Sequence, residues 1–206
     1  MSLVDIVKNA QTTTLLNEDG EEITLELLPP LSADEVEEFA DTLPCPLPED
    51  VRELLSYCGG FEGGVAERVD FTGAEMMFEH EILFPHGVPI ASDGFGNFWV
   101  VDLTEHSTTF GPVYFACHDA PVILYQSDTL AEFLSELFRT HDNLVLEVPE
   151  DRLFDVWRTN PGMLTFDECA QSPDDALREF AAELDASWQV IDLRQAKPGF
   201  GFSWGP

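Results

Sequence analysis

Residues 91–103 read "ASDGFGNFWVVDL" and place an Asp-Gly-x-Gly-Asn stretch directly before an almost unbroken run of large apolar residues. The run "FWVV" does not alternate apolar with polar residues. This pattern predicts a strand that is covered on both faces and is therefore central in its sheet. The glycine-containing stretch before it has two possible interpretations, a ligand loop or a turn that leads into the strand.

The residues around the glycines favour the turn. A phosphate loop needs a helix N-terminus after its glycines, whereas a strand follows here. A calcium loop needs several oxygen ligands at fixed spacing, and only Asp93 and Asn97 stand beside Gly94 and Gly96. We therefore predict that the glycines take backbone angles that other residues disfavour. Asp93 and Asn97 then cap the turn through their side chains.

Further short segments rich in β-branched and aromatic residues lie on either side of this strand. They are "HEILF" (80–84), "VPIAS" (88–92), "PVYFAC" (112–117) and "PVILYQ" (121–126). Their close spacing favours antiparallel pairing. We predict an α+β fold with a central, mostly antiparallel mixed sheet of about five to six strands and helices packed against it.

Three helices are predicted next to this sheet. The first begins at Ser32, where "SADE" forms a capping box with Glu35. The second follows "LPCPLP", with Pro48 in its first turn, and ends at Gly59-Gly60. The third lies in "SDTLAEFLSELFRTH", with Ser127 or Asp128 as its cap, and can cover one face of the sheet.

The two ends of the chain extend this core. At the start, "TTTLL" and "EITLEL" flank the polar turn "NEDG" and predict a hairpin. From residue 141, "NLVLEV" and "WQVIDL" read as strands, with a helix capped by Ser172 between them. The last residues, "KPGFGFSWGP", are either a docked aromatic strap, which we favour, or an end that binds something. We expect residues 1–140 to form one domain, on which a C-terminal α/β extension, residues 141–206, packs.

Charge is the most unusual property of the chain. Its 40 acidic side chains face 9 Lys and Arg residues, which gives a formal net charge of −31. No Lys or Arg stands between Arg68 and Arg139, so a nucleic-acid partner is excluded because phosphate binding needs clustered cations. A basic protein partner would be attracted. Solubility alone is the competing explanation of the charge.

The remaining patterns predict no cofactor, no metal and no membrane association. The four cysteines, Cys45, Cys58, Cys117 and Cys169, form no C-x-x-C pair, which favours buried free thiols over disulfides. No long apolar run or secretory signal is readable, so we expect a cytoplasmic location. We interpret the pair His118-Asp119 as a local hydrogen bond, the alternative being half of an acid-base site.

Four stretches together resemble a known family. They are "LSADEVEEFADTLPCPLPEDVRELLSYCGGFEGG" (31–64), "IASDGFGNFWVVDL" (90–103), "GPVYFACHD" (111–119) and "SDTLAEFLSELF" (127–138). In this order they resemble the SUKH superfamily, which includes fungal cell-wall-synthesis regulators and bacterial immunity proteins. The resemblance covers residues 28–140.

The resemblance implies binding without catalysis. We expect an immunity protein that neutralises a bacterial toxin domain, of which many are basic nucleases. The alternative is an intracellular regulator or scaffold that binds a housekeeping partner or peptide, as the fungal relatives imply. An enzyme would need a metal or a deep pocket at His118 and Asp119. The candidate partner-binding residues lie on the first predicted helix and in two loops: Asp34, Glu37, Glu38, Asp41, Asp93, Phe95 and Asp119.

Overall fold

A computed structural model describes residues 1–16, 22–63, 66–78, 83–138, 150–159 and 163–203. The described residues form seven helices: α1 (Leu3–Thr12), α2 (Ala33–Thr42), α3 (Glu49–Tyr57), α4 (Leu130–Leu137), α5 (Glu150–Thr159), α6 (Phe166–Ala170) and α7 (Asp175–Ala182). They also form twelve strands: β1 (Leu15–Leu16), β2 (Glu22–Ile23), β3 (Glu26–Leu27), β4 (Gly60–Glu62), β5 (Arg68–Asp70), β6 (Val88–Ser92), β7 (Phe98–Val101), β8 (Val113–Ala116), β9 (Val122–Ser127), β10 (Met163–Thr165), β11 (Gln189–Ile191) and β12 (Gly201–Ser203).

The main sheet confirms the α+β prediction but is larger than expected. Its eight strands lie in the order β12-β9-β8-β7-β6-β5-β4-β3, and every neighbouring pair is antiparallel. The expected number of five to six strands was therefore too small. The mostly antiparallel pairing is confirmed, and none of the described strand pairs of this sheet is parallel. The strands that sequence analysis missed, β4 and β5, are three residues long and too short to show a period of two.

The central position predicted for "FWVV" is confirmed. β7 lies between β6 and β8, and its side chains alternate between two apolar clusters. Trp99 and Val101 belong to the larger cluster, and Val100 belongs to the smaller one on the other face. The strand lacks polar residues because both of its faces are buried.

Helices α1 to α4 cover the face that Trp99 and Val101 share. Each has an apolar stripe at helical spacing, as in α4, where Leu130, Phe133, Leu134 and Leu137 are buried. The predicted capping box of α2 is confirmed. Ser32 Oγ accepts from the Glu35 N–H at 3.3 Å, and the Glu35 carboxylate accepts from the Ser32 N–H at 2.7 Å.

Three predicted helix starts were placed wrongly. α4 is capped by Thr129, whose Oγ1 accepts from the Glu132 N–H, and not by Ser127 or Asp128. α7 is capped by Asp174 and not by Ser172. α3 has Pro48 at its N-cap and not inside its first turn. Each error is small because several capping residues stand next to one another, and the tertiary packing of the apolar stripe selects among them.

The N-terminal hairpin is confirmed, since Leu15 pairs with Ile23 and Leu16 with Glu22. Its predicted turn residues lie outside the described part. Helix α1 before it was not predicted. Its signal is a capping box between Ser2 and Asp5 that stands directly before Leu3.

Of the other predicted strands, one is confirmed, one is not a strand where the structure describes it, and one lies outside the described residues. Of "HEILF", residues 80–82 lie outside the described residues, and Leu83 and Phe84 lie in a turn and not in a strand. The segment "NLVLEV" also lies outside them. The strand in "WQVIDL" is confirmed as β11, which pairs with the unpredicted β10. Helices α5 and α6 were not predicted either.

The C-terminal aromatic segment docks on the sheet as β12, which confirms the strap. Phe202 pairs with Ile123 and is buried in the smaller cluster with Val100 and Tyr114. Ile191, Leu193 and Ala196 pack against the same cluster. The strap's Trp204 lies outside the described residues, and the division of the chain at residue 140 stays a prediction.

Two phenylalanines of the strap provide a matched test of this docking. Phe202 is 6% exposed and Phe200 is 51% exposed. We expect Phe202→Ala to lower the free energy of unfolding by about 3 kcal/mol, because it leaves a cavity, and Phe200→Ala to lower it by less than about 1 kcal/mol. Urea denaturation followed by circular dichroism measures both. Equal losses for the two variants would contradict the docked strap.

Candidate functional site

The turn before β7 is held by its own side chains, as the sequence predicted. Gly94 and Gly96 have φ of 79° and 90°. Asp93 Oδ1 accepts from the N–H of Phe95 at 2.9 Å and from the N–H of Asn97 at 3.2 Å. Asn97 Nδ2 donates to Asp93 Oδ2 at 2.6 Å. The prediction of a structural turn is confirmed, and the turn presents Phe95 at its tip with 83% of the residue exposed.

The predicted residue Asp119 lies beside this turn. The His118 N–H donates to Asn97 Oδ1 at 2.7 Å, and a Cβ on Gly96 would lie 3.0 Å from the His118 ring. His118 Nδ1 and Asp119 Oδ1 are 3.2 Å apart, which matches the predicted local hydrogen bond. Both side chains are exposed, so they do not form the deep acid-base pocket that catalysis would need.

Glu67 joins the same group of residues, although sequence analysis did not single it out. Its carboxylate lies over Gly94, where a Cβ would come within 2.5 Å of Oε2. The structure therefore brings the predicted Asp93, Phe95 and Asp119 together with Glu67. Phe95 therefore stands in a turn that contains Asp93 and has the Glu67 carboxylate beside it.

The acidic face of α2 is the second predicted part of the site. Asp34, Glu38 and Asp41 are exposed and have no ion pair among the described residues. Glu37 differs from them, because its carboxylate binds Arg52 of α3 at 2.6 Å. Three of the four predicted carboxylates on α2 thus have no cationic partner among the described residues.

Two adjoining depressions connect these parts of the surface. One, of about 620 Å³, runs along Gly94, Gly96 and His118. The other, of about 590 Å³, runs along Glu38 and neighbouring residues of α2. Both are lined by Arg68 and Glu75, which form an ion pair. We call the two depressions together the acidic trough.

The trough carries far more negative than positive charge. Among the described residues that line it, the only Lys or Arg is Arg68, which also binds Glu62 at 2.9 Å. The same residues include six carboxylates, namely Glu35, Glu38, Glu62, Glu67, Asp70 and Glu75. Asp70 is a structural member, since its carboxylate accepts from the backbone N–H groups of Thr72, Gly73 and Glu75. The remaining acidic side chains give the trough a strongly negative potential.

Apolar side chains also line the trough. Met77 is 88% exposed and stands beside Met76 and Phe98. Methionine adapts its shape to a partner more readily than branched residues do. These residues carry no recognisable sequence signal, because "GAEMMFEH" has neither a helical nor a strand period.

The described residues offer little for metal or thiol chemistry. Among them, no group of three or more His, Cys, Asp or Glu side chains could hold a metal ion. The four cysteines are free and buried, as predicted. Burial raises the pKa of the Cys58 thiol to about 11, which keeps it protonated at neutral pH. No helix in the described ranges has the length and apolar character to cross a membrane.

Helices α2 to α4 and strands β4 to β9 lie almost entirely within a segment that matches a known family. The model of the SMI1/KNR4 family (SUKH-1) matches residues 30–136, more than half of the chain. The chain belongs to the SUKH-1 family. This confirms the resemblance drawn from the sequence, and it is consistent with a non-catalytic binding role. No curated protein and no solved structure gives a significant match.

One carboxyl of this SUKH-1 protein has a strongly altered titration. Burial raises the pKa of Asp102 from 3.8 to about 6, an effect that the nearby His86 partly opposes. The Asp102 side chain accepts no hydrogen bond from any residue that the structure describes. Its charged form is therefore poorly solvated in the folded state.

Asp102→Asn tests this assignment. Because the folded pKa lies above the unfolded value, the wild-type carboxyl destabilises the fold increasingly as pH rises from about 4 to 6. We expect Asp102→Asn to be more stable than wild type at pH 8, by on the order of 2 kcal/mol, and to lose this advantage toward pH 4. Urea unfolding at both pH values measures the difference.

Glu105→Gln is the control for this experiment, because Glu105 is an exposed carboxylate close in sequence. Its stability difference from wild type should stay near zero. A gain for Asp102→Asn that does not change between pH 8 and pH 4 would contradict the buried, titrating carboxyl.

Proposed function

We propose that this SUKH-1 protein is an immunity protein that binds a basic, nuclease-type toxin domain and blocks its active surface. The observation that carries the proposal is the acidic trough, which the described residues line with six carboxylates and one guanidinium, that of Arg68. Family membership supports a binding role, and the acidic trough supports a basic partner.

The charge favours such a partner in two ways. A net charge of −31 attracts a basic protein from a distance and raises the rate of encounter. Once the two are in contact, the carboxylates of the trough occupy the cationic groove in which a nuclease would hold phosphate groups. The same charge disfavours nucleic acid itself as a ligand.

Apolar side chains would supply the energy that keeps the complex together. Interface energy concentrates in a few aromatic and other large side chains that become fully buried on binding. Phe95 and Met77 are the most exposed large apolar residues of this region. We propose that Phe95 anchors the partner, with Asp34, Glu37, Glu38, Asp41, Asp93 and Asp119 around it. Asp93 then acts partly by holding the turn that presents Phe95.

The proposal predicts a salt-dependent inhibitor. The tagged chain should retain a basic nuclease domain from cells that express the toxin, and the activity of that nuclease should fall when purified chain is added. Raising the salt concentration from about 50 mM to about 500 mM should slow association at least about tenfold, because salt screens the electrostatic attraction between the two proteins. The variant Glu38→Gln/Glu67→Gln/Phe95→Ala should weaken binding about a hundredfold. Surface plasmon resonance measures both effects.

A matched control makes the same chemical changes elsewhere. Glu179→Gln/Glu183→Gln/Phe200→Ala alters two exposed glutamates and one exposed phenylalanine outside the trough. It should bind within about threefold of wild type. Equal losses for the two variants would overturn the assignment of the surface. Retention of a housekeeping protein, with no basic toxin domain under toxin-expressing conditions, would favour a regulatory role instead.

A further inference from the structure

A cavity that is separate from the acidic trough lies on the opposite side of the sheet from helices α1 to α4. It measures about 560 Å³ and separates the sheet from the C-terminal elements. One wall comes from the ends of β7 and β8 with Asp102, Pro112 and Tyr114, and the other comes from α7 and the segment 190–196. We call it the Asp102 cleft. Its size falls in the range of small-molecule sites, which often lie between packed units.

Two polar groups that line the cleft have no hydrogen-bond partner among the residues that the structure describes. The Asp102 carboxyl and the Tyr114 hydroxyl make no hydrogen bond within the described part of the chain. Tyr114 is only 1% exposed, and buried polar groups of this kind are normally paired. Burial raises the pKa of the Tyr114 hydroxyl, and the charge of the nearby Asp102 raises it further. Together they offer a carboxylate acceptor and a hydroxyl to a ligand.

The other polar groups of the cleft are already paired. The Tyr125 hydroxyl donates to Asp128 Oδ1 at 2.9 Å. Arg194 is held by Asp192 and Asp174, each at 2.8 Å, so its guanidinium is committed to those carboxylates. Among the described residues that line the cleft, Arg194 is the only Lys or Arg. The Asp102 carboxyl therefore has no ion-pair partner in the described part of the chain, and the nearby His86 offsets its charge only in part.

The rest of the lining is apolar. Side chains of both walls contribute, namely Pro112, Leu177, Phe180, Val190 and Leu193. Such a surface accepts an aromatic or aliphatic body. A ligand that matches the whole cleft would combine this body with a positively charged donor for Asp102.

We propose that the Asp102 cleft binds a small organic ammonium ion, with its charged nitrogen on the Asp102 carboxylate and the Tyr114 hydroxyl and its apolar body against α7. The site is separate from the acidic trough and does not depend on the toxin partner. An anionic ligand is disfavoured by Asp102 and by the net charge of −31.

Phenethylamine is the probe for this site, because it joins an aromatic ring to an ammonium group. Titrated into the full-length chain at neutral pH, it should bind saturably to one site, with a dissociation constant below about 10 mM. Phenylacetate has the same ring with a negative charge and should bind at least about tenfold more weakly. Isothermal titration calorimetry and ligand-observed NMR measure both.

Variants locate the bound probe. Asp102→Asn should weaken phenethylamine at least about tenfold, and Tyr114→Phe should weaken it severalfold, about the loss of one hydrogen bond. Glu105→Gln, which lies outside the cleft, should leave binding unchanged. Circular dichroism establishes whether each variant is folded. If Asp102→Asn does not fold, Tyr114→Phe still tests the site. The proposal is overturned if phenethylamine does not saturate, if phenylacetate binds equally well, or if folded cleft variants bind like wild type.

Discussion

The antiparallel pairing of β7 with β6 and β8 is the constraint on which the rest of the structure depends. Because Trp99 and Val101 point to one face and Val100 to the other, both faces of the sheet must be covered. Four helices cover the first face, and the C-terminal strap with residues 191–196 covers part of the second. The two covering layers differ in character. The helical layer is continuous with the main core, whereas the second layer leaves the Asp102 cleft open.

The turn that leads into β7 links this core to the surface. Asp93 has two roles. Its carboxylate holds the turn by hydrogen bonds, and it contributes a negative charge next to Phe95. The hydrogen bonds of the turn fix the backbone at Phe95, which lowers the entropy that binding must remove. An exposed aromatic side chain thus stands next to the acidic trough. Arg68 limits the repulsion among the carboxylates by pairing with Glu62 and Glu75.

The elements that could be predicted from the sequence are those set by neighbouring residues. The elements that could not be predicted are those whose position depends on tertiary packing. The capping box at Ser32, the turn at Gly94 and Gly96 and the central strand could each be read from neighbouring residues. The cap of α4 could not, because Ser127, Asp128 and Thr129 are all suitable and only the burial of Leu130 and Phe133 selects Thr129. β4 and β5 are defined by their partners more than by their own residues.

The same limit applies to the candidate site. The acidic face of α2 and the turn before β7 were predictable from charge and glycine content. Glu67, Glu75 and Met77 were not, because their role depends on the fold that brings β5 and the following turn beside Gly94. The Asp102 cleft escaped prediction for a similar reason, since its two walls are far apart in sequence.

The strap also shapes the order in which the protein can fold. β12 pairs with β9, although residues 128–200 separate the two strands in the sequence. This contact therefore forms only after a very long stretch of chain has closed into a loop. Until then Ile123, Tyr114 and Val100 lack the cover of Phe202, and an apolar sheet face stays open to water and to other chains. The net charge of −31 opposes such association, because like-charged copies repel one another.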